Sequence, residues 1–598
     1  MLEKNSKGYA LAIVKLSDYI IDYLERNNIN KAFVIQGGAV AHLIDSIAKH
    51  PNFDYFTCQH EQACAIAADG MSRTSKTIGL AIATSGPGAT NLITGIANAY
   101  YDSIPVLFIT GNVASFRQSN NLNVRQYGFQ ETDIVNIVKP ITKYSIRINK
   151  PTDIKYEIDK ALFIAKNGRK GPVLIDIPDD FQRELIDTSK LKKFTVQKNI
   201  QDNKFDIEKV YSLLKNSKRP VLVYGNGILS SNSIRLAVNV SNKLKIPTLY
   251  SWPLKGIFSH KDSLNYGSFG TNSSRTGNFI IQNSDLIISI GNRLDTHATG
   301  TLKDFARNAK ILLVDIDENE LNKFEKLGKK VELKLCVDAK YFLNRINNEI
   351  KYIFTNNKWL EYCQKLKDKY SYKSKFNTKF VSPIKFFKKL SKEVNEKTIF
   401  VGDTGANLVY LLNFLKEKKG QQFISAFNNT PMGYSLAAAI GISISNPKKN
   451  IICCIGDGGI QMNIQELATI SYYNLPITII VFNNYGHGMI KQTQDDWFKS
   501  TYEASSSEKG IPKINFNAIA KAYNIKSFQI KNNSQINSLL TNFNFNEPIL
   551  IELLIDESLR IDPMLQFGRP LEDMNPLLQR EEFMHNMIIK PLQISEKI

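Results

Sequence analysis

Two short motifs, Gly456-Asp457-Gly458 and Asn483-Asn484, stand twenty-four residues apart, each preceded by an apolar run, and they constrain this chain more than anything else in it. Asn450 to Ile455 reads as a buried strand that delivers Asp457 to its carboxyl end. Pro476 to Phe482 reads as a second strand delivering Asn484. The helical pattern over Gln461 to Tyr473 between them makes a strand, helix, strand unit, the right-handed crossover of a parallel sheet. Asp-Gly and Asn-Asn are each ordinary turn dipeptides when taken alone. The spacing and the flanking strands turn them into a site, with Asp457 and Asn484 side by side at one sheet edge. One carboxylate, one amide oxygen and nearby carbonyls suit a hard cation such as Mg²⁺, which keeps positions open for phosphate oxygens and water. A diphosphate ligand is implied.

At 598 residues the chain is too long for one core, and length predicts about three or four domains. Hydrophobic residues at 43% and charged residues at 22% exclude extensive disorder and a fibrous class. A net charge of +20 raises nucleic acid or an anionic membrane as partners. The lysines, however, are scattered among Asn and Ile with no sustained basic run, so neither partner is expected. Clusters such as Lys416-Glu417-Lys418-Lys419 read as solvated faces. The six cysteines (Cys58, Cys64, Cys336, Cys363, Cys453, Cys454) form no Cys-x-x-Cys pair and read as buried thiols of a reducing compartment. Glu3 and the short apolar stretch Ala10 to Val14 give no secretory signal, and no run approaches a membrane span, so a cytoplasmic location is expected.

Alternating helical and strand patterns predict an α/β fold of three consecutive doubly wound parallel-sheet domains. The first, residues 1–188, has a helix from about Ser17 and strands at Ala32 to Ile35, Asp54 to Cys58, Ile78 to Thr84 and Val106 to Thr110. The second, 189–355, opens on a Lys-rich connection around Ser189 to Lys204. Its strands are Pro220 to Tyr224, Ile280 to Ile290 and Ile311 to Val314. A Lys, Asn and Tyr-rich stretch, Asn356 to Lys379, leads to the third, 375–560, and residues 561–598 form a tail. There is no short-period repeat.

The Gly-Asp-Gly to Asn-Asn spacing resembles the signature of thiamine diphosphate (ThDP) enzymes, which implies that Asp457, the Asn484 side chain and the Gly486 carbonyl hold the metal. His60-Glu61-Gln62 through Ala67-Ala68-Asp69-Gly70, the run Thr84 to Asn91, and Asp102-Ser103-Ile104-Pro105 look like the pyrimidine-binding domain of acetohydroxyacid (acetolactate) synthases. By itself Glu61 is an acidic residue of a first helical turn. The resemblance implies that it bonds a ring nitrogen of the aminopyrimidine and promotes the imino tautomer, whose nitrogen takes the proton from thiazolium C2. It further implies cofactor contacts from Pro87 and Asn91, with Gln130 near the cofactor. It implies too that Gly37 and Gly38 belong to the loop facing the reacting carbon, where glycine permits close backbone approach. A lone methionine is usually core filling, but Met432 in Thr430-Pro431-Met432-Gly433 matches the bulky support of the bent cofactor, and the Thr430 carbonyl would receive the aminopyrimidine. Gly405, Ala406, Asn407, Gly456, Gly458, Gly459, Gly486, His487, Gly488 and Met489 complete the implied ThDP contacts.

Gly225-Asn226-Gly227, Gly291 to Asp295 and Asp315-Ile316-Asp317 stand where acetohydroxyacid synthases contact FAD, making Gly225, Asn226, Gly227, Arg293 and Asp315 candidate flavin contacts. Similar loops occur in relatives whose central domain is empty or holds another nucleotide, so flavin, nucleotide and no ligand stay open. In this family the first domain of one subunit meets the third of another across the cofactor, which implies a homodimer or homotetramer and leaves a regulatory subunit open. Three positions depart from the biosynthetic enzymes. Thr493 replaces a tryptophan of the acceptor pocket, Asp179 a lysine at the channel, and Ala406-Asn407 a Gln-His pair near the diphosphate. Loss of an indole enlarges and polarises a pocket.

The resemblance thus implies a ThDP- and Mg²⁺-dependent carboligase. It would decarboxylate a 2-oxo acid, pyruvate first, and pass the two-carbon hydroxyethyl unit to a second carbonyl compound. Four alternatives stand beside it: transfer to a nucleotide keto sugar in surface-polysaccharide synthesis, simple decarboxylation, oxidation with the flavin as electron acceptor, and a non-catalytic paralogue. Retention of Glu61 with Asp457 and Asn484 argues against the last.

Overall fold

The apolar runs bounded by glycine and polar turns become parallel strands in three separate sheets. The computed structural model describes residues 13–119, 122–196, 204–370, 379–541 and 543–596. Glu3, the start of the apolar stretch at Ala10, and parts of both Lys-rich connections fall outside the described residues.

The first sheet runs in the order Asp54–Thr57, Lys31–Val34, Gly79–Ala83, Val106–Asn112, Val173–Pro178, Tyr144–Arg147. The third repeats that pattern with Gln422–Ile424, Ile399–Gly402, Ile451–Gly456, Ile477–Asn483, Ile549–Leu554 and Lys526–Ile530. The central sheet is Thr248–Tyr250, Pro220–Tyr224, Leu286–Ile290, Lys310–Asp315, Leu333–Cys336. All pairings within these sheets are parallel, as the buried, continuously apolar strands require. In each sheet the chain order reverses between the first-formed strand and the one that follows the crossover. Open parallel sheets hold ligands outside the carboxyl ends at such a reversal. An antiparallel pair, Ile13–Lys15 with Leu185–Asp187, ties the two ends of the first domain together.

The first and third domains of the chain meet through two helices of small residues, Glu61–Thr74 and Tyr434–Ser445. Ala63 to Met71 and Tyr434 to Ser443 are buried throughout. Contact is backbone to backbone: a Cβ on Gly441 would stand 1.9 Å from the Ala67 carbonyl oxygen, and one on Gly70 2.6 Å from that of Ala438. A buried ionic cluster seals the same boundary. Arg73 pairs with Asp69 at 2.7 Å and Asp102 at 2.8 Å, and the Tyr434 hydroxyl donates to Asp69 at 2.6 Å. Gly441→Val is therefore expected to lower stability by about 3 kcal/mol, the upper end of overpacking penalties. Thermal and denaturant unfolding measure it, and a neutral result would mean that the two helices separate freely.

Four expectations need correction. Ile280 to Ile290 is not one strand: Arg275–Asn283 is a helix buried on every side, and the strand is Leu286–Ile290. Phe279, Ile280 and Ile281 end a helix whose polar residues Arg275, Asn278 and Gln282 are buried through hydrogen bonds to the tail, and that short apolar run followed by Leu286–Ile290 mimics one strand broken at Asn283-Ser284-Asp285. Asn356 to Lys379 contains a helix, Asn357–Lys369, whose Trp359, Cys363 and Leu366 enter the central core. Glu417 is no solvated charge. The third domain packs on the central one there, and Glu417 lies buried against Lys255 at 2.7 Å, with hydrogen bonds from Tyr250 and Asn265. Cys336 is exposed, while the other five cysteines are buried. The tail lies on the central domain, held by Arg307 and Gln282 on Glu572, each at 2.6 Å, and ends near the short helix Arg580–His585. Among the described residues no helix is long and apolar enough to cross a membrane.

Candidate active site

Reversal of strand order in the third sheet places the loop after Ile399–Gly402 beside the loop after Ile451–Gly456. Between them opens a cavity of about 230 Å³. Gly405, Ala406, Asn407, Met432, Gly456, Asp457, Gly458, Gly459, Asn484, Gly486, His487, Gly488 and Met489 all line it. Thr430 does not, although it lies two residues ahead of Met432.

Asp457 follows its strand directly and begins a helical turn, so its carboxylate sits where backbone N–H groups converge. Oδ1 accepts from Gly458 N and Oδ2 from Gly486 N, both at 3.0 Å. Burial nevertheless raises its pKa to about 6, against the pull of those two amides. The Asn484 side-chain oxygen stands 2.6 Å from the Gly486 carbonyl oxygen and 3.3 Å from Asp457 Oδ1. Half a turn of the amide would make its NH₂ a donor to both. With the oxygen in place, three acceptors converge with no proton among them, an arrangement that a cation relieves. The donor set, one carboxylate, one amide oxygen and one carbonyl, fits a hard divalent ion.

The rest of the cavity is shaped for close approach. A Cβ on Gly458 would stand 2.7 Å from His487 Nε2 and 3.2 Å from Met432 Cε, so only glycine lets those side chains close over the turn. Asn407 donates to the Thr404 carbonyl at 2.7 Å, and its own carbonyl oxygen is buried without a partner, facing the side where a donor-bearing ligand would lie. The His487 pKa is lowered by burial and then by Lys491. Asp403, buried and pushed up to about 7 by that burial, accepts from Gly433 N and Ser435 N at 3.1 Å and so fixes the turn carrying Met432.

Glu61, Asn91, Gly37, Gly38, Pro87 and Gln130 gather at the corresponding edge of the first sheet. Asn91 donates to Glu61 Oε2 at 2.9 Å. A Cβ on Gly88 would stand 3.3 Å from Glu61 Oε1, and one on Gly37 would strike Thr84 at 2.5 Å. Gln130 takes a left-handed φ of 63° and closes on Gly86. The loop carrying Glu61 is clamped from the third domain: Glu466 Oε1 accepts from Gln59 N at 2.9 Å, and Thr57 N donates to the Tyr473 hydroxyl at 2.9 Å. Burial pushes Glu466 up to about 7. None of the Glu61 group lines the cavity around Asp457.

A larger cleft of about 370 Å³ lies at the reversal of the central sheet. Asn226, Gly227, Arg293 and Asp315 line it; Gly225 lies behind, its Cβ position only 2.2 Å from the Gly291 carbonyl. The Asp315 carboxyl is raised in pKa by burial. Sequence reasoning missed Glu466, Tyr473 and Asp403 as supports, because a buried acid with backbone donors carries no local pattern. It also missed that Arg169, Phe427 and Asn428 reach the central cleft from the neighbouring domains.

Comparison with known proteins fits this geometry. Residues 14–137, 207–346 and 403–553 match the N-terminal TPP binding, central, and C-terminal TPP binding domains of thiamine pyrophosphate enzymes. The chain belongs to the thiamine diphosphate-dependent enzyme family. Within it the chain is similar to the acetolactate synthase large subunit of Cyanidium caldarium, 33% identical with 93% of this chain and 95% of that one covered. It is likewise similar to a probable acetolactate synthase large subunit of Methanococcus aeolicus, at 33% with 91% and 92% covered. The acetolactate synthase large subunit of Lactococcus lactis is 31% identical, with 96% of each covered. The chain is thus a ThDP-dependent, acetolactate-synthase-like enzyme.

Proposed function

We propose that this enzyme decarboxylates a 2-oxo acid, pyruvate first, and joins the two-carbon unit to a second carbonyl compound. The observation that carries the reading is the convergence of Asp457, Asn484 and the Gly486 carbonyl at the mouth of a glycine-walled cavity, with Glu61 held ready at a matching edge. In this reading those three oxygens would hold Mg²⁺, and Gly405, Ala406, Asn407, Gly456, Gly458, Gly459 and Gly486 to Met489 would hold ThDP. When bound, ThDP supplies the nucleophilic carbon and the electron sink. Met432 and Gly458 shape the bend of the pocket, Glu61 holds and moves a proton at a ring nitrogen, and Gly37 and Gly38 keep the space over the reacting carbon open.

Because the Glu61 group and the Asp457 cavity stand apart in one chain, the working site takes Glu61 from one protomer and Asp457 from its partner. Exposed apolar side chains flank both halves, Phe116, Tyr127 and Phe129 beside Gln130, and Ile490, Trp497 and Phe567 near the cavity. Apolar surface of this kind is what a homodimer, or a pair of them, would cover. FAD or a related nucleotide would bind in the central cleft in this reading, held by the Gly225 to Gly227 turn, Arg293 and Asp315. A large-subunit-like chain also leaves room for a regulatory subunit.

Thr493 favours a second acceptor. It follows Met489 by one helical turn, and its hydroxyl donates back to the Met489 carbonyl at 3.3 Å, leaving a small side chain in a place suited to an indole. A nucleotide keto sugar is the acceptor to test beside pyruvate. Incubation with pyruvate, ThDP and Mg²⁺, with and without such a sugar, should give acetolactate or a two-carbon branched sugar by mass detection. Acetaldehyde alone would mean simple decarboxylation, and no turnover with either acceptor would remove the carboligase reading.

A further inference from the structure

One short segment reaches both cavities. Phe427 and Asn428 line the central cleft, and Met432 lines the cavity around Asp457. Asn428 is the fastening. Its side-chain oxygen accepts from Arg293 Nη2 at 2.6 Å, and its amide nitrogen donates to the Asp102 carboxylate and, at 3.3 Å, to the Tyr101 carbonyl. Phe427 N donates to the other Asp102 oxygen at 3.1 Å, and Asn429 donates to Asn98 at 2.7 Å. Tyr101, Asp102 and Arg293 are themselves walls of the central cleft.

Beyond that anchor the backbone is under strain. Thr430, β-branched, takes a left-handed φ of 45°, and Gly433 takes 86°. Such a conformation persists only when its surroundings hold it, and here Thr430 N bonds to Ala426 O at 2.9 Å while Gly433 N bonds to Asp403 at 3.1 Å. Asn428 is exposed at the open cleft, so its hold on Arg293 competes with water.

We propose that Asn428 is a positioning residue that couples the two cavities: a nucleotide-bearing ligand in the central cleft fixes the segment Phe427 to Gly433, and thereby presents Thr430 and Met432 to ThDP. Filling the cleft shields the Arg293–Asn428–Asp102 chain from water and removes the freedom of the segment once. ThDP then binds to a support already ordered and pays less entropy for it, which is positive linkage without a second fold state. Linkage of this kind is reciprocal. The inference rests on the assignment of ThDP to the cavity around Asp457.

Calorimetric titration of the full-length protein tests it. Mg²⁺-ThDP is titrated with the cleft empty and with saturating FAD, then with saturating ADP. The Kd for ThDP should fall by about fivefold or more when the cleft ligand is present, and the Kd for the cleft ligand should fall by the same factor when ThDP is present. Asn428→Ala should bring that ratio close to one. As a readout independent of the variant, hydrogen exchange in peptides covering 425–434 of the parent protein should slow when FAD or ADP is added alone. A ThDP Kd indifferent to the cleft ligand, a ratio unchanged in Asn428→Ala, or binding of neither FAD nor ADP would each overturn the proposal. Absence of ThDP uptake under every condition would instead overturn the cofactor assignment beneath it.

Discussion

Glu61→Gln should fold as the parent does and lose about 10²–10⁴-fold in turnover, the range that a positioned acid or base contributes. The substitution is nearly isosteric, and Asn91, which donates to the Glu61 side chain at 2.9 Å, can still donate to the Gln carbonyl. Its backbone setting is independent of the charge. His60 caps the helix by accepting from Gln62 N at 3.1 Å, and Glu466 and Tyr473 clamp the residues before it. Melting temperature and calorimetric ThDP affinity should therefore stay near parental values while kcat collapses. An amide cannot take up and return a proton at a ring nitrogen. Turnover within a few-fold of the parent would show that proton transfer is run from elsewhere.

That pattern was readable in the sequence for a specific reason. The candidate site residues sit at strand ends, where chain order, turn glycines and the reversal of a parallel sheet leave strong local marks. Gly456-Asp457-Gly458 and Asn483-Asn484 declare themselves through spacing, and the apolar strands before them are unmistakable because both faces are buried. Glu61 heads its helix in the folded chain as the sequence implied, although the helix begins at Glu61 itself and runs to Thr74.

What stayed hidden depends on contacts between distant segments. Glu417 reads as one charge in a lysine cluster, yet the central domain buries it on Lys255, 162 residues away. Ile280 and Ile281 read as strand because they are the apolar end of a helix whose polar residues, Arg275, Asn278 and Gln282, are buried through hydrogen bonds to the distant tail. Asn357–Lys369 read as a connection because lysines and other polar residues are interleaved with its apolar positions, although Trp359, Cys363 and Leu366 already fall at helical spacing. Glu466 and Asp403 support the two halves of the site from inside, and neither has a motif. Each is recognisable only once the backbone amides that it accepts from, 407 residues away for Glu466 and 30 to 32 for Asp403, have been brought to it.

Asp457→Ala carries the other large expected effect, on binding before chemistry. Removing the carboxylate takes the single formal charge from a cluster otherwise made of the Asn484 amide oxygen and the Gly486 carbonyl. It also strands the amides of Gly458 and Gly486, which it accepts from at 3.0 Å. Loss of an outer-shell partner already costs about 10–100-fold in metal affinity, so loss of the charged ligand should exceed that, and Mg²⁺-ThDP uptake should vanish from calorimetry at millimolar ligand. The thermal shift makes the point independently. Parent protein should melt higher with Mg²⁺-ThDP, by an amount that grows with the logarithm of ligand concentration and is abolished by chelator. The variant should show no shift at any concentration. Two orphaned amides cost about 1–3 kcal/mol each when buried, so the apo variant should also melt below the apo parent. If it melts lower but still takes up Mg²⁺-ThDP with parental affinity, Asp457 is only a structural acceptor for its own loop, and the three converging oxygens are an amide awaiting half a turn.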